Sequence, residues 1–315
     1  MRSRGHDADF DGLYDEGPDF GDDAFYDEEA PRRGPVRRAL GCLIPLVILG
    51  GVVLGGYAGY QHFINNFGSP SCKVVAGGFD YQWDPEQAAN ASTITDVGLF
   101  KLGLPHRASD VALTTAIQES KLRNITYGDL DSIGLFQQRP SQGWGTSQQI
   151  QDPVFASTSF YHALIKLHGW QQLPVAKAAQ EVQKSGFPSA YEEHTTQGET
   201  LTKVLSGSTP EGIGCRLDDA TSSTSPAALV AKLADQTGVH ATAGTSSVTY
   251  HASTPAAARG IAAWAVAHAD SDGITAVTVG DRAWERRRGR DGWTWRGASQ
   301  PTSGSTVVRI DLAGR

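Results

Sequence analysis

The apolar positions of this chain fall into one long run and several short periodic ones. Residues 39–60, from Ala39 to Tyr60, carry no charged side chain. As a helix rising about 1.5 Å per residue, a run of this length covers the roughly 30 Å hydrocarbon core of a bilayer. Arg32, Arg33, Arg37 and Arg38 stand before it, whereas Gln61 to Pro70 hold no Lys or Arg. That asymmetry predicts a single-pass cell-membrane anchor, with the N-terminus cytoplasmic and everything after residue 60 extracytoplasmic. A cleaved signal peptide fits less well, because a long polar stretch precedes the run. Cys42 lies at the start of the run, where a lipid-modified cysteine would close it, and reads as a thiol within the membrane.

After a linker at 61–71, residues 72–215 show helical spacing at Ala108–Ser120, Pro153–Leu167 and Pro174–Lys184. Asp152 before Pro153 is a cap followed by proline at the first helical position. Ser109 or Asp110 is expected to cap the first of these helices. The stretch 216–226, rich in Ser and Thr, reads as a second linker. Residues 227–315 predict a small α/β accessory domain. Its expected helices are Ala227–Gln236 and Pro255–Ala269, and its strands Ser246–His251, Ile274–Val279, Ala283–Arg287, Trp293–Arg296 and Thr306–Leu312. The predicted class is α+β, a mainly helical domain followed by that smaller one.

Charge sharpens the picture at the N-terminus. The net charge is −7, but residues 1–38 hold eleven Asp and Glu against six Arg, so most of the imbalance sits there. Such a tail is too charged to bury a core and is expected to be disordered. Phe10, Tyr14, Phe20, Phe25 and Tyr26 interleave with the acids. The segment is either simply solvated or recruits a basic cytoplasmic partner. Cys72 and Cys215 are both external on this topology, where an oxidising compartment favours a disulfide between them. No metal or other cofactor is expected: the cysteines are far apart, and His106, His162, His168 and His194 form no ligand cluster. Arg282, Arg286, Arg287, Arg288 and Arg290 lie near Trp284, Trp293 and Trp295. They read as an arginine-rich hairpin with core tryptophans, or as a surface for an anionic wall polymer or partner protein. Nucleic acid is not an expected partner outside the membrane.

The candidate chemistry gathers around Glu119. Val111 to Gln118 carries no charge and is apolar on several faces, which predicts a helix buried within its domain. Glu119 falls near the helix end, on the face of Ala112 and Ala116. Burial and the negative helix end both favour the neutral form of a carboxyl group. A general acid for glycosidic cleavage needs that property. Taken alone, a glutamate at a helix end is an ordinary surface residue.

Fifteen residues beyond it, Gly134-Leu135-Phe136-Gln137 is followed by Arg139-Pro140. Glu119-Ser120 with that segment at that offset resembles the lysozyme-like lytic transglycosylase superfamily, related to goose-type lysozyme, over about residues 100–195. The resemblance implies a lysozyme-like helical domain that cuts the bond between N-acetylmuramic acid and N-acetylglucosamine in peptidoglycan glycan strands. It implies Glu119 as the catalytic acid/base, with Ser120 and Gln137 shaping the sugar site. Gln138 and Gln142 add amides suited to N-acetyl and hydroxyl groups. Tyr127-Gly128-Asp129 and Ser141–Gly145 read as walls of a cleft. Trp144 either stacks on a sugar or packs in the core.

The chain departs from the family pattern in two places. Phe136 replaces a methionine. Where the family has Ala-Ala-Tyr-Asn, its tyrosine reaching the glutamate, this chain reads Ala178-Ala179-Gln180-Glu181-Val182-Gln183. Tyr191 is the candidate to supply the missing hydroxyl. Hydrolases of this kind use two carboxyl groups, and Asp129 and Asp131 are available, although loop aspartates more often cap turns. The transglycosylase pattern uses one acid and the substrate's own 6-hydroxyl, giving a 1,6-anhydro product, and is the favoured expectation. A muramidase hydrolase is an alternative. So is a non-catalytic glycan-binding module that organises a cell-wall or secretion complex, which the altered tyrosine segment would suit.

Overall fold

A computed structural model of the chain describes residues 49–60, 63, 68–184 and 188–314. The acidic stretch 1–38, Cys42 and the beginning of the apolar run lie outside them. Residues 49–60 are helical with their side chains exposed, and among the described residues no helix is long and apolar enough to cross a membrane. The described chain divides between residues 58 and 59 into two units.

The second unit opens with a hairpin of β1 (Ser71–Ala76) and β2 (Phe79–Trp83). Strand β3 (Ile213–Arg216) returns from far along the chain to pair with β1, giving the antiparallel order β2-β1-β3. Alternation along β1 sends Cys72, Val74 and Ala76 inward and leaves Ser71, Lys73 and Val75 on the outer face. In this register Cys72 lies opposite Cys215, and the expected disulfide joins them in the interior.

Between β2 and β3 the chain is helical. It forms α1 (Pro85–Asp96), α2 (His106–Ser120), α3 (Ser147–Ile150), α4 (Pro153–Leu164), α5 (Val175–Gln183) and α6 (Thr195–Leu205). Helix α2 packs against α1, α4, α5 and α6. Its uncharged stretch is buried on every face from Val111 to Ile117, as its sequence predicts. It begins earlier than expected, after Pro105, so Ser109 and Asp110 lie inside it and do not cap it. Asp152 caps α4 as predicted, its carboxylate accepting from the Val154 amide at 2.9 Å.

Beyond residue 225 come α7 (Pro226–Thr237), α8 (Pro255–Ala267) and the short α9 (Ala269–Asp272). Six strands accompany them: β4 (Thr242–Ala243), β5 (Ser247–His251), β6 (Ile274–Val279), β7 (Arg282–Glu285), β8 (Trp295–Gly297) and β9 (Val307–Leu312). The sheet order is β4-β5-β9-β6-β7-β8 and every pairing is antiparallel. This corrects the expected α/β character. Parallel strands need helical crossovers, whereas β6, β7 and β8 follow one another as direct antiparallel neighbours, and the described chain as a whole is α+β.

The two parts are not separate bodies. Helix α8 packs on β6 and β9 and also on α1 and β3, so every residue from Gly260 to Ala267 is buried. One continuous hydrophobic core runs through both parts. The tryptophans of the arginine-rich segment stitch the seam: Trp293 Nε1 donates to the Ser71 carbonyl (3.0 Å) and Trp295 Nε1 to the Ile213 carbonyl (2.7 Å). Arg282 pairs with Glu211, Arg286 with Asp270 and Arg287 with Glu285. The stretch 216–226 therefore connects two parts of one compact unit.

His268, only 2% exposed, stacks on Trp264 and donates from Nδ1 to the Trp264 carbonyl at 2.9 Å. Burial, and after it the Lys232 charge, lowers its pKa to about 3. The unfolded chain takes up a proton as pH falls through about 6.5, whereas the folded protein resists doing so. This contribution to stability is complete above the unfolded value and declines as pH drops towards the folded one. Urea midpoints measured across that window should fall less steeply for His268→Gln than for the unmodified protein. Removing the disulfide is the larger change. It closes a separation of 143 residues, a constraint of about 4–5 kcal/mol in the chain-entropy view. Replacing both cysteines with serine should lower Tm by roughly 10 °C in thermal unfolding.

Candidate functional site

Helix α2 stops at Ser120 because Lys121 (φ 53°) and Leu122 (φ 60°) both adopt left-handed backbone. For residues with a Cβ this costs about 1–2 kcal/mol each, so the surroundings must hold it. Two side chains of α1 do so. Gln87 donates to the Lys121 carbonyl at 2.7 Å and Asn90 to the Leu122 carbonyl at 2.8 Å. Leu130 and Gln137 are left-handed as well. Of the six such non-glycine residues described, four lie between 121 and 137. Left-handed backbone thus collects in the segment that follows Glu119.

Glu119 is half-buried in the last turn of α2. Its Oε1 accepts a 2.5 Å hydrogen bond from the hydroxyl of Tyr191, a residue 1% exposed. Tyr191 belongs to a 3-10 segment, Pro188–His194, that packs on α2 and α5. The hydroxyl missing from Ala178–Gln183 therefore arrives from the following segment. His194 secures that segment, with its ring 3.1 Å from the Gln118 Oε1 and 3.2 Å from the Gln197 Oε1.

The 134–137 loop is tied to the same helix end. The Ser120 hydroxyl lies 2.8 Å from the Leu135 carbonyl and 3.0 Å from that of Ala116. Gln183 Nε2 donates to the Phe136 carbonyl at 2.7 Å. The Phe136 ring, buried, stacks on Phe160 with centroids 4.5 Å apart. Gly134 has φ 79°, and a Cβ there would stand 2.9 Å from the Ile150 carbonyl oxygen, so only glycine suits the position.

The other residues singled out from the sequence distribute unevenly. Gln137 is half-buried, its amide 3.3 Å from the Tyr127 and Gly134 carbonyls. Trp144 is half-buried against the core, and Gln142 is exposed. Two placements differ from expectation. Ser120, 7% exposed, has its hydroxyl engaged by backbone and acts as a clamp on the loop. Gln138, 1% exposed, donates to the Ala156 carbonyl (3.1 Å) and presents no face to a sugar. Tyr127 and Leu130, by contrast, are 73% and 75% exposed on the loop after α2.

Asp131, a candidate second carboxylate, is fully engaged. It accepts from Arg139 Nε (2.7 Å), the Ser141 amide (2.8 Å) and the Ser141 hydroxyl (2.9 Å). The Arg139 bond first, then those from Ser141, hold its carboxyl far below the usual carboxylate range. Asp129 is exposed in the same loop. A different carboxyl, Asp96, is pushed well above its ordinary range by burial. It lies in the core on the Ser92 hydroxyl (2.7 Å), with none of its surface exposed.

The sequence does not mark out Gln87, Asn90 or Gln183 as site residues, and His194 reads there only as an isolated histidine, although all four hold the site together. The fold and site define an α+β protein with a helix-end carboxyl group gripped by a tyrosine hydroxyl beside a strained, amide-bearing loop. No family model matches the chain, and no curated protein matches it in sequence.

If the Asn90 clamp carries the strained turn, Asn90→Ala leaves the Leu122 carbonyl without its partner. A loss of about 1–3 kcal/mol is expected, read as a lower urea midpoint at an unchanged slope.

Proposed function

We propose that this chain is a membrane-anchored, extracytoplasmic peptidoglycan lytic transglycosylase. It cleaves the MurNAc–GlcNAc β-1,4 bond with Glu119 as its single acid/base. The observation that carries this reading is the Tyr191–Glu119 hydrogen bond, made at the helix end that also grips the Gly134–Gln137 segment through Ser120. Holding a proton donor in one place converts binding into catalysis, because orientation is settled before the reaction starts. The apolar run 39–60 supplies the anchor, and Gln137 and Trp144 are the residues assigned to sugar contact.

With Oε1 accepting from Tyr191, Oε2 is the oxygen left to carry a proton to the bridging oxygen. As that proton transfers, the bond from the muramoyl C1 to the bridging oxygen breaks and positive charge develops at C1. The muramoyl 6-hydroxyl oxygen then bonds to C1, and its proton passes to the Glu119 carboxylate. The products are a 1,6-anhydromuramoyl end and a free 4-hydroxyl on the departing sugar, and the acid is regenerated. An inverting hydrolase would need a second carboxylate free to activate water, and a retaining one would need it as nucleophile. The engagement of Asp131 by Arg139 and Ser141 supports the one-acid route.

The test is product analysis by mass spectrometry, using the full-length protein in uncharged detergent with purified cell-wall sacculi. Anhydro-muropeptides are expected. Glu119→Gln should cut their release at least about 100-fold without lowering Tm. Tyr191→Phe should lower kcat by about 10–100-fold with little change in KM, and Asp131→Asn should stay within a few-fold of the unmodified protein. Reducing ends would make the protein a muramidase, and no soluble fragment would make it a glycan-binding module.

A further inference from the structure

Away from the proposed catalytic site, the outer face of the β2-β1-β3 sheet forms a basic groove. The strand register places Lys73 of β1 across from Gln82 of β2, and Arg216 of β3 across from Ser71. The turn Arg290–Trp293 comes down on the same face. Its close approach depends on Gly214, where a Cβ would lie 2.3 Å from the Trp293 carbonyl oxygen. Lys73, Gln82, Arg216, Arg290 and Trp293 line a groove of about 590 Å³.

Three cations face this groove. Lys73 is paired with Asp80 at 2.5 Å. For Arg216 and Arg290, no carboxylate stands within ion-pair distance among the described residues. The Arg216 guanidinium lies 4.9 Å from the centre of the Trp293 ring, and the Lys73 ammonium 6.0 Å. Among the described residues Arg216 donates from Nε to the Ser69 carbonyl at 2.9 Å, and its terminal nitrogens lie against Gly68, so the exposed Arg290 is the guanidinium more open to a ligand. Burial, and after it the Arg290 charge, lowers the pKa of Arg216. The two guanidinium groups therefore repel each other in the free protein, and an anion between them relieves that repulsion.

Shape selects the anion. A single phosphate would fill little of a groove this large. A flat bilayer surface meets a protruding basic surface better than a recessed one. The cross-strand partner of Arg216 lies two residues from Lys73, which spaces the cationic positions about 7 Å apart along the strand. Successive phosphodiesters joined by a short polyol can match that spacing, and guanidinium forks bind phosphate oxygens in pairs.

We infer that this groove binds a phosphodiester-linked polyol chain of the cell wall, tethering the enzyme to the material that it cuts. The inference rests on the extracytoplasmic placement proposed above, but not on catalysis by Glu119. The experiment titrates full-length protein in uncharged detergent with a synthetic poly(glycerol phosphate), following tryptophan fluorescence. Dextran, inorganic phosphate and short-chain phosphatidylglycerol serve as competing probes. Affinity for the polymer should fall at least tenfold in Arg290→Gln, an exposed residue, and further in Arg216→Gln/Arg290→Gln. Glu119→Gln should bind like the unmodified protein, so a failed catalytic reading leaves this result standing. Unchanged affinity in both arginine variants would overturn the inference. So would inorganic phosphate or phosphatidylglycerol competing as well as the polymer per phosphate.

Discussion

The hydrogen bonds from Gln87 and Asn90 to the carbonyls of Lys121 and Leu122 determine how the chain leaves its central helix. Without them, two consecutive left-handed residues with side chains would have no compensation, and the helix could run on or fray. With them, α2 stops one residue after Glu119, and the chain turns at once into the loop that carries Gly134 to Gln137. Ser120 then grips Leu135, Gln183 grips Phe136, and Tyr191 reaches the carboxyl group. The position of the proposed proton donor is thus set by side chains from α1, α5 and the 3-10 segment. Each contact is short and directional, and those of Asn90 and Ser120 are buried, the setting in which a hydrogen bond is electrostatically strongest.

The remainder of the molecule gives that arrangement a rigid base. Helix α1, which supplies both clamps, packs on one side against α2 and on the other against α8. Helix α8 is in turn covered by the antiparallel sheet. The small three-stranded sheet closes the ring, because β1 and β3 come from opposite ends of the helical region and are cross-linked at Cys72–Cys215. The C-terminal part is therefore structural support for the site as well as the wall of a second groove.

Much of the helical framework was legible in the sequence. The uncharged stretch before Glu119 and the Asp152-Pro153 cap located α2 and α4, and five of the six C-terminal strands fell near their predicted ranges. The hairpin β1-β2 and strand β3 were not, because each is short and gains its meaning only from pairing across the whole helical region. Helices α1 and α6 escaped for another reason. Ala, Ser, Thr and Gly fill many of their buried positions, among them Ala88, Ala91, Gly198 and Thr200, and dilute the hydrophobic periodicity. At the site, the spacing from Glu119 to Gly134 was readable and Tyr191 could be named as a candidate. The clamping roles of Gln87, Asn90 and Gln183 were not readable, since a glutamine that ties down a carbonyl looks like one that faces water. Ser120 and Gln138 were assigned to sugar for the same reason, and the packing around them gives each a backbone partner instead.

The central claim is that Glu119 delivers a proton while the substrate's own hydroxyl, not water, completes the reaction. Digesting sacculi with the full-length protein in ¹⁸O-enriched water and weighing the released fragments addresses both halves at once. Fragments that carry no ¹⁸O and are lighter than their hydrolytic counterparts by one water are predicted. One ¹⁸O at each new muramoyl end would contradict the account.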